Sequence, residues 1–171
     1  GIISMEGYAD QRQLITQRAT NIVKADEGVS DDERARMNGH RGGIIWFTGL
    51  SGAGKSTLSV ELERRLFEKG YSVYVLDGDT LRTGLNRDLC FGEEARRENL
   101  RRAAEVVKVM LDAGLIVIAS FISPFAAERQ MVREIVGGNF FEVYVEANIE
   151  TCEERDPKGL YKRARAGVIP K

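Results

Sequence analysis

The stretch Gly49-Leu50-Ser51-Gly52-Ala53-Gly54-Lys55-Ser56 constrains this chain more than any other. It has the spacing G-x-x-x-x-G-K-[ST] and lies between two different patterns. Before it, Ile44 to Thr48 is a short apolar run with β-branched and aromatic residues, which predicts a buried strand. After it, Leu58, Leu62 and Leu66 recur at helical spacing until Gly70 ends the helix. A glycine-rich loop between a strand and a helix lets several backbone N–H groups point at one anion, and the helix adds its positive end. The loop is therefore expected to hold the phosphates of a nucleoside triphosphate. Lys55 would reach the β and γ phosphates, and the Ser56 hydroxyl would ligate Mg²⁺. The bland alternative, a glycine-rich turn without a ligand, is disfavoured by the flanking strand and helix.

The rest of the chain alternates in the same way. Tyr71 to Leu76, Leu115 to Ala119 and Phe140 to Val145 read as strands. Glu93 to Ala113 reads as a helix with Leu100, Ala104, Val107 and Leu111 on one face. Ala126 to Val136 is helical, and the charged segment from Ile149 onward is read as helical too. Apolar strands that do not alternate are buried on both sides. Strands alternating with helices predict an α/β fold, a three-layer α/β/α arrangement around a parallel sheet. Upstream, Ser30-Asp31-Asp32-Glu33 fits a capping box and Asn38-Gly39 a stop, so a short helix lies between them. Residues 1 to about 19 are the least committed, with a weak amphipathic pattern through Leu14, Ile15, Ile22 and Val23. We divide the chain into an N-terminal arm or linker, 1–40, and a phosphate-loop domain, 41–171.

Bulk properties limit the partners. The 171 residues suit one sizeable core. With 25 basic and 26 acidic residues the net charge is −1, which gives no footing for a nucleic-acid groove or a membrane surface. No apolar run is long enough to span a bilayer, and the N-terminus does not read as a signal peptide. Cys90 and Cys152 form no metal or redox spacing. These features predict a cytoplasmic protein with reduced thiols. The lone histidine, His40, precedes the first strand and reads as structural.

In open α/β sheets, ligands bind at the carboxyl ends of the strands. Asp77-Gly78-Asp79 follows the second strand, where a second metal-organising carboxylate is needed. Taken alone it is also a common turn. Asp79 is expected to position or deprotonate an acceptor hydroxyl and to contact hydrated Mg²⁺, with Asp77 in support. Arg82, Arg96 and Arg97 gather nearby, the last two near a helix start that disfavours cations. Either an anion binds there, or the arginines form a solvated face with Glu93, Glu94 and Glu98; the second reading is preferred for Arg101 and Arg102. Ser123-Pro124 is a turn or a site contact. The segment from Arg155 to Arg163 is either a charged helix or a mobile lid that brings Lys158 or Arg163 to the transferring group.

Taken together these segments resemble the adenylylsulfate (APS) kinase family of P-loop kinases. The matching stretches are Asn38-Gly39-His40-Arg41-Gly42, Trp46 through Thr57, Leu76-Asp77-Gly78-Asp79 with Arg82, Phe91 with Arg96 and Glu98-Asn99, Ser120 through Pro124, and Arg155 through Tyr161. The resemblance implies a P-loop kinase fold, a homodimer and an ATP- and Mg²⁺-dependent phosphorylation. The acceptor would be the 3'-hydroxyl of adenosine 5'-phosphosulfate. By matched position Arg82, Phe91, Arg96, Asn99, Ile122 and Ser123 would hold the acceptor, together with Lys158 and Leu160. Phe91 would stack on its adenine and Arg155 would lie near the ATP base. Gly49 through Thr57 would bind ATP; Lys55, Asp79, Ser123 and Lys158 would form the catalytic set. Ser123 occupies the position traditionally labelled a phosphoserine, a step that in-line transfer does not need. Gly92 and Ala95 depart from the family's usual Ser and Asp, and Ala95 removes a partner from a neighbouring arginine. The family pattern continues past Lys171 with a segment that covers the acceptor, so the chain is expected to be a shortened form. Its arm also suits a domain linked to an ATP sulfurylase. Two rivals stand beside this reading: another small-molecule P-loop kinase, and a kinase-like regulatory domain that binds nucleotide without turnover.

Overall fold

The computed structural model describes residues 28–168. The pattern through Leu14, Ile15, Ile22 and Val23, and the final Ile169-Pro170-Lys171, lie outside the described residues.

The first helix, α1 (Asp31–Asn38), forms between the two signals the sequence supplies. The Ser30 hydroxyl accepts from the Glu33 N–H at 3.3 Å, and the Glu33 carboxylate accepts from the Ser30 N–H at 2.9 Å. Gly39, at φ 73°, stops it in the left-handed region. The chain then runs β1 (Gly43–Thr48), α2 (Lys55–Glu68), β2 (Val73–Asp77), α3 (Gly78–Thr83), α4 (Glu93–Asp112), β3 (Ile116–Ser120), α5 (Ala126–Val136), β4 (Phe140–Tyr144), α6 (Ile149–Arg155) and α7 (Leu160–Arg165). Two elements differ from expectation. Asp77-Gly78-Asp79 does not merely end a strand; it opens α3, with Asp77 as N-cap. The charged segment from Ile149 is two helices, because Asp156-Pro157-Lys158-Gly159 interrupts it and Gly159 takes φ 64°.

The sheet has the order β2-β3-β1-β4, and every pairing is parallel. Alternate residues of each strand face opposite layers. Ile44, Trp46, Val117, Ala119 and Phe140 pack beneath α4 and α5, whose Leu100, Ala103, Val107, Val132 and Val136 complete that core. Phe47 and Ile118 face the other way, where Leu62 and Leu66 of α2 cover them. Each large aliphatic side chain so buried contributes roughly 1.5–3 kcal/mol. Trp46 is wholly buried and stacks on Phe121 at 4.6 Å, with an interplanar angle of 7°. Among the described residues β4, at the sheet margin, pairs on one side only, and its Phe141, Val143 and Tyr144 are 62%, 38% and 63% exposed.

Since all four strands run in one direction, their carboxyl ends meet along one edge. Thr48, Asp77, Ser120 and Tyr144 end the strands there, and the loops that follow them supply the candidate chemistry. No helix among the described residues is long and apolar enough to cross a membrane.

Candidate active site

The loop after β1 can be built only with glycine at its bends. Gly49, Gly52 and Gly54 have φ of 140°, 79° and 102°. A Cβ on Gly49 would lie 2.6 Å from the Val145 carbonyl oxygen, and one on Gly52 2.8 Å from that of Cys152. The backbone therefore closes tightly under β4 and α6. Gly54 caps α2 without a side chain, and the first helical bond runs from the Leu58 N–H to the Gly54 carbonyl at 3.0 Å. The N–H groups of Lys55, Ser56 and Thr57 are thus free of intrahelical partners and point out of a positive helix end.

Lys55 is buried, and its Nζ donates to the carbonyls of Gly49 at 2.8 Å and Leu50 at 2.7 Å. Burial, then the positive charge of Lys158, pushes its pKa down. An anion in the loop would relieve both effects. Ser56 is exposed beside it.

Asp77 is half-buried, and its Oδ1 accepts from the Asp79 N–H at 2.8 Å. That bond fixes Asp79 at the start of α3, exposed, with its Oδ2 paired to Lys158 Nζ. Among the described residues no group of three or more His, Cys, Asp or Glu side chains gathers as a metal cage. Ser56 at the start of α2 and Asp79 at the start of α3 both follow strand ends on the same edge of the sheet. A hydroxyl with a carboxylate suits Mg²⁺, which keeps most of its waters and takes one or two protein oxygens. The donor set of Ser56 and Asp79 fits that ion.

Beyond Asp79 the arginines hold a loop rather than each other. Arg82 Nη1 donates to the carbonyls of Leu89 and Cys90 at 3.3 and 3.1 Å, and its guanidinium lies 4.6 Å over the Phe91 ring. Arg96 Nε donates to the Phe91 carbonyl at 2.9 Å. The Phe91 ring, 75% exposed, is presented to solvent by this bracing. Arg101 and Arg102 behave as the charged-face reading expects: Arg101 pairs with Glu98 at 2.7 Å, and Arg102 pairs with Glu98 at 2.9 Å and Asp88 at 2.8 Å. These bonds, Arg101's above all, hold the Glu98 carboxyl down at about 2.

Three expected contacts sit differently from the rest. Asn99 is buried and turned inward, its Oδ1 accepting from Asn86 Nδ2 at 3.0 Å. Ile122 is exposed at the site edge. Ser123 is 3% exposed, with a left-handed φ of 33°. Its Oγ accepts from Trp46 Nε1 at 3.1 Å and donates to Thr48 Oγ1 at 3.0 Å, while Thr48 in turn donates to the Ile122 carbonyl at 2.8 Å. A hydroxyl so enclosed pins the β3 loop to β1 and is not offered to a phosphoryl group.

The segment after α6 straps over the phosphate loop. Arg155 Nη1 donates to the Gly52 carbonyl at 3.1 Å, and Tyr161 donates its hydroxyl to the Ser51 carbonyl at 2.9 Å. Asp156 accepts from the N–H groups of Tyr161 and Lys162 at 3.2 and 3.0 Å, which caps α7. Lys158 lies between these anchors, and the partly buried Leu160 opens α7. Arg155 thus grips the phosphate loop itself. The sequence reading missed Tyr161, Asp156 and the Trp46–Thr48 clamp. Only Asp156 left a local signal, an Asp before Pro-x-Gly. His40 is structural as read, its Nε2 accepting from the Ser72 N–H at 3.0 Å.

This arrangement meets a known pattern. The family model described as Adenylylsulphate kinase matches residues 41–171. The chain belongs to the adenylylsulphate kinase family. An adenylyl-sulfate kinase of Shewanella amazonensis is 57% identical over 150 residues, spanning 87% of this chain and 76% of that protein. One from Staphylococcus haemolyticus is 54% identical over 153 residues, spanning 89% and 77%. Among solved structures, the Mycobacterium tuberculosis APS kinase CysC in complex with AMPPNP and APS is 52% identical. It superposes with a TM-score of 0.73 over 75% of this chain and 76% of its own. The chain has the P-loop kinase fold, a parallel sheet between helices with the phosphate loop following β1.

Proposed function

We propose that this chain transfers the γ-phosphoryl group of ATP to the 3'-hydroxyl of adenosine 5'-phosphosulfate, giving ADP and 3'-phosphoadenosine 5'-phosphosulfate. The observation that carries the reading is the convergence on Asp79. On one side lies a loop of free N–H groups, on the other an exposed aromatic ring braced by two arginines. Family membership, and the relative solved with AMPPNP and APS, support the same substrates.

The chain's own residues divide the work. Backbone N–H groups of the loop and of the start of α2, apart from the Ala53 N–H that closes the turn onto Leu50, cradle the phosphates, and Lys55 exchanges its two carbonyls for phosphate oxygens. Asp79, oriented by Asp77, takes the proton of the 3'-hydroxyl as the new O–P bond forms and the bond to the β-phosphate oxygen breaks. Phe91 stacks on the acceptor's base. Arg82, Arg96 and Lys158 face its phosphosulfate, and Asn99, Ile122 and Leu160 shape its pocket. Ser123 acts by positioning the β3 loop, and Arg155 by holding the phosphate loop. Ser56 and Asp79 would hold Mg²⁺. Bound there, the ion would neutralise phosphate charge.

The sequence pattern supports a 1–40 arm or linker before a 41–171 kinase domain and a cytoplasmic location, and the resemblance supports a homodimer and a link to an ATP sulfurylase domain.

ADP release from ATP and Mg²⁺ is expected to depend on added adenosine 5'-phosphosulfate, and not on gluconate or nucleoside monophosphates. Stimulation by another acceptor would replace the substrate. Nucleotide binding with no turnover on any acceptor would favour the regulatory reading.

A further inference from the structure

The strap over the phosphate loop touches that loop through carbonyl oxygens, and this sets the direction of the opposite groups. In a trans peptide the C=O and the N–H point opposite ways across one rigid plane. No peptide among the described residues is cis. The Ser51 carbonyl belongs to the same plane as the Gly52 N–H, and the Tyr161 hydroxyl donates to that carbonyl at 2.9 Å. The next carbonyl, of Gly52, is held by Arg155 at 3.1 Å; its plane contains the Ala53 N–H, which closes a turn onto the Leu50 carbonyl at 3.2 Å. Arg155 therefore secures the turn, while Tyr161 holds the adjacent plane, whose Gly52 N–H makes no bond within the described residues.

That plane is otherwise poorly defended against rotation. Gly52 is free to adopt many backbone conformations, and its φ of 79° is one of several open to it. Tyr161 itself is well fixed. Its ring packs on the core of Phe47, Ala53, Ile118, Val145 and Cys152, and Asp156 holds its backbone N–H. Burial raises the pKa of its phenol still further above neutrality.

We infer that Tyr161 is a positioning residue for the nucleotide: its hydroxyl turns the Ser51–Gly52 peptide so that the Gly52 N–H faces the phosphates. The inference rests on the phosphate-binding reading of the loop and adds a residue to it. Since the strap also carries Lys158 to Asp79, the orientation of the loop and the placement of Lys158 share one short segment.

The test is Tyr161→Phe, which keeps the ring and removes one donor. Inorganic tripolyphosphate, titrated by calorimetry, reads the loop without a base or an acceptor. Its Kd is expected to rise about fivefold, the effect of one hydrogen bond of roughly 1 kcal/mol. The KM for ATP is expected to rise with it, while the KM for adenosine 5'-phosphosulfate and the ligand-free melting temperature stay near wild type. Unchanged tripolyphosphate affinity overturns the inference. So does an equal rise in both KM values, which would mean general loosening. A wild-type chain that does not bind tripolyphosphate removes the phosphate-loop reading itself, and the inference falls with it.

Discussion

Replacing Ser123 with alanine separates two roles that the residue type alone leaves joined. The Trp46 indole is fully buried, and its Nε1–H has the Ser123 hydroxyl as its acceptor at 3.1 Å. Alanine leaves that donor unpaired in a dry core, at a cost of about 1–3 kcal/mol. Thr48 loses the donor at 3.0 Å but keeps its own bond to the Ile122 carbonyl at 2.8 Å, so the second loss is small. The sum is about 2 kcal/mol. In a domain of this size each kcal/mol lowers the melting temperature by roughly 2–4 °C, so a fall of about 4–8 °C is expected. Differential scanning calorimetry of the ligand-free protein measures it. Turnover, assayed well below both transitions, should be largely retained, because the hydroxyl faces the core. A variant that melts with the wild type yet has no turnover would refute this reasoning and return Ser123 to the chemistry.

Three further outcomes follow from the same geometry. Gly52→Ala puts a Cβ 2.8 Å from the Cys152 carbonyl oxygen at φ 79°, so it should lose about 2 kcal/mol in urea denaturation and bind ATP more weakly by calorimetry. Asp79→Ala should still bind ATP but turn over about 10²–10⁴ times more slowly in a coupled ADP assay; unchanged turnover would remove Asp79 from the proton transfer. Glu98→Gln tests a depressed carboxyl. Because the folded pKa lies below the ordinary 4.5, at about 2, its contribution is whole above pH 4.5 and is lost as pH falls toward 2. After screening of this partly exposed site it amounts to about 1 kcal/mol, so urea midpoints of wild type and variant should differ at pH 7 and converge in acid.

Much of the site is visible in sequence because its determinants are local. Gly49, Gly52 and Gly54 sit where positive φ and close backbone packing demand glycine, and the spacing to Lys55 and Ser56 is that of one loop and one helix start. The Ser30–Glu33 box and Gly39 mark α1 for the same reason. What was hidden depends on residues brought together by the sheet. Ser123 meets Trp46 across 77 positions, and Tyr161 meets Ser51 across 110. Neither partner alters the pattern around the other. The helix α3 escaped because six residues are too short to show a period, although Asp77 is a favoured N-cap type. Asn99 matched a family position, yet its inward turn toward Asn86 is a matter of packing that no motif records.

Among the described residues the outer side of β4 carries no strand, and this has a practical consequence. A row of backbone donors and acceptors on its outer side, flanked by Phe141, Val143 and Tyr144, is a template on which another strand can add. Protein limited to the described residues is therefore expected to self-associate as its concentration rises. Light scattering would show this as a growing hydrodynamic radius, and a lysine in place of Phe141 should suppress it.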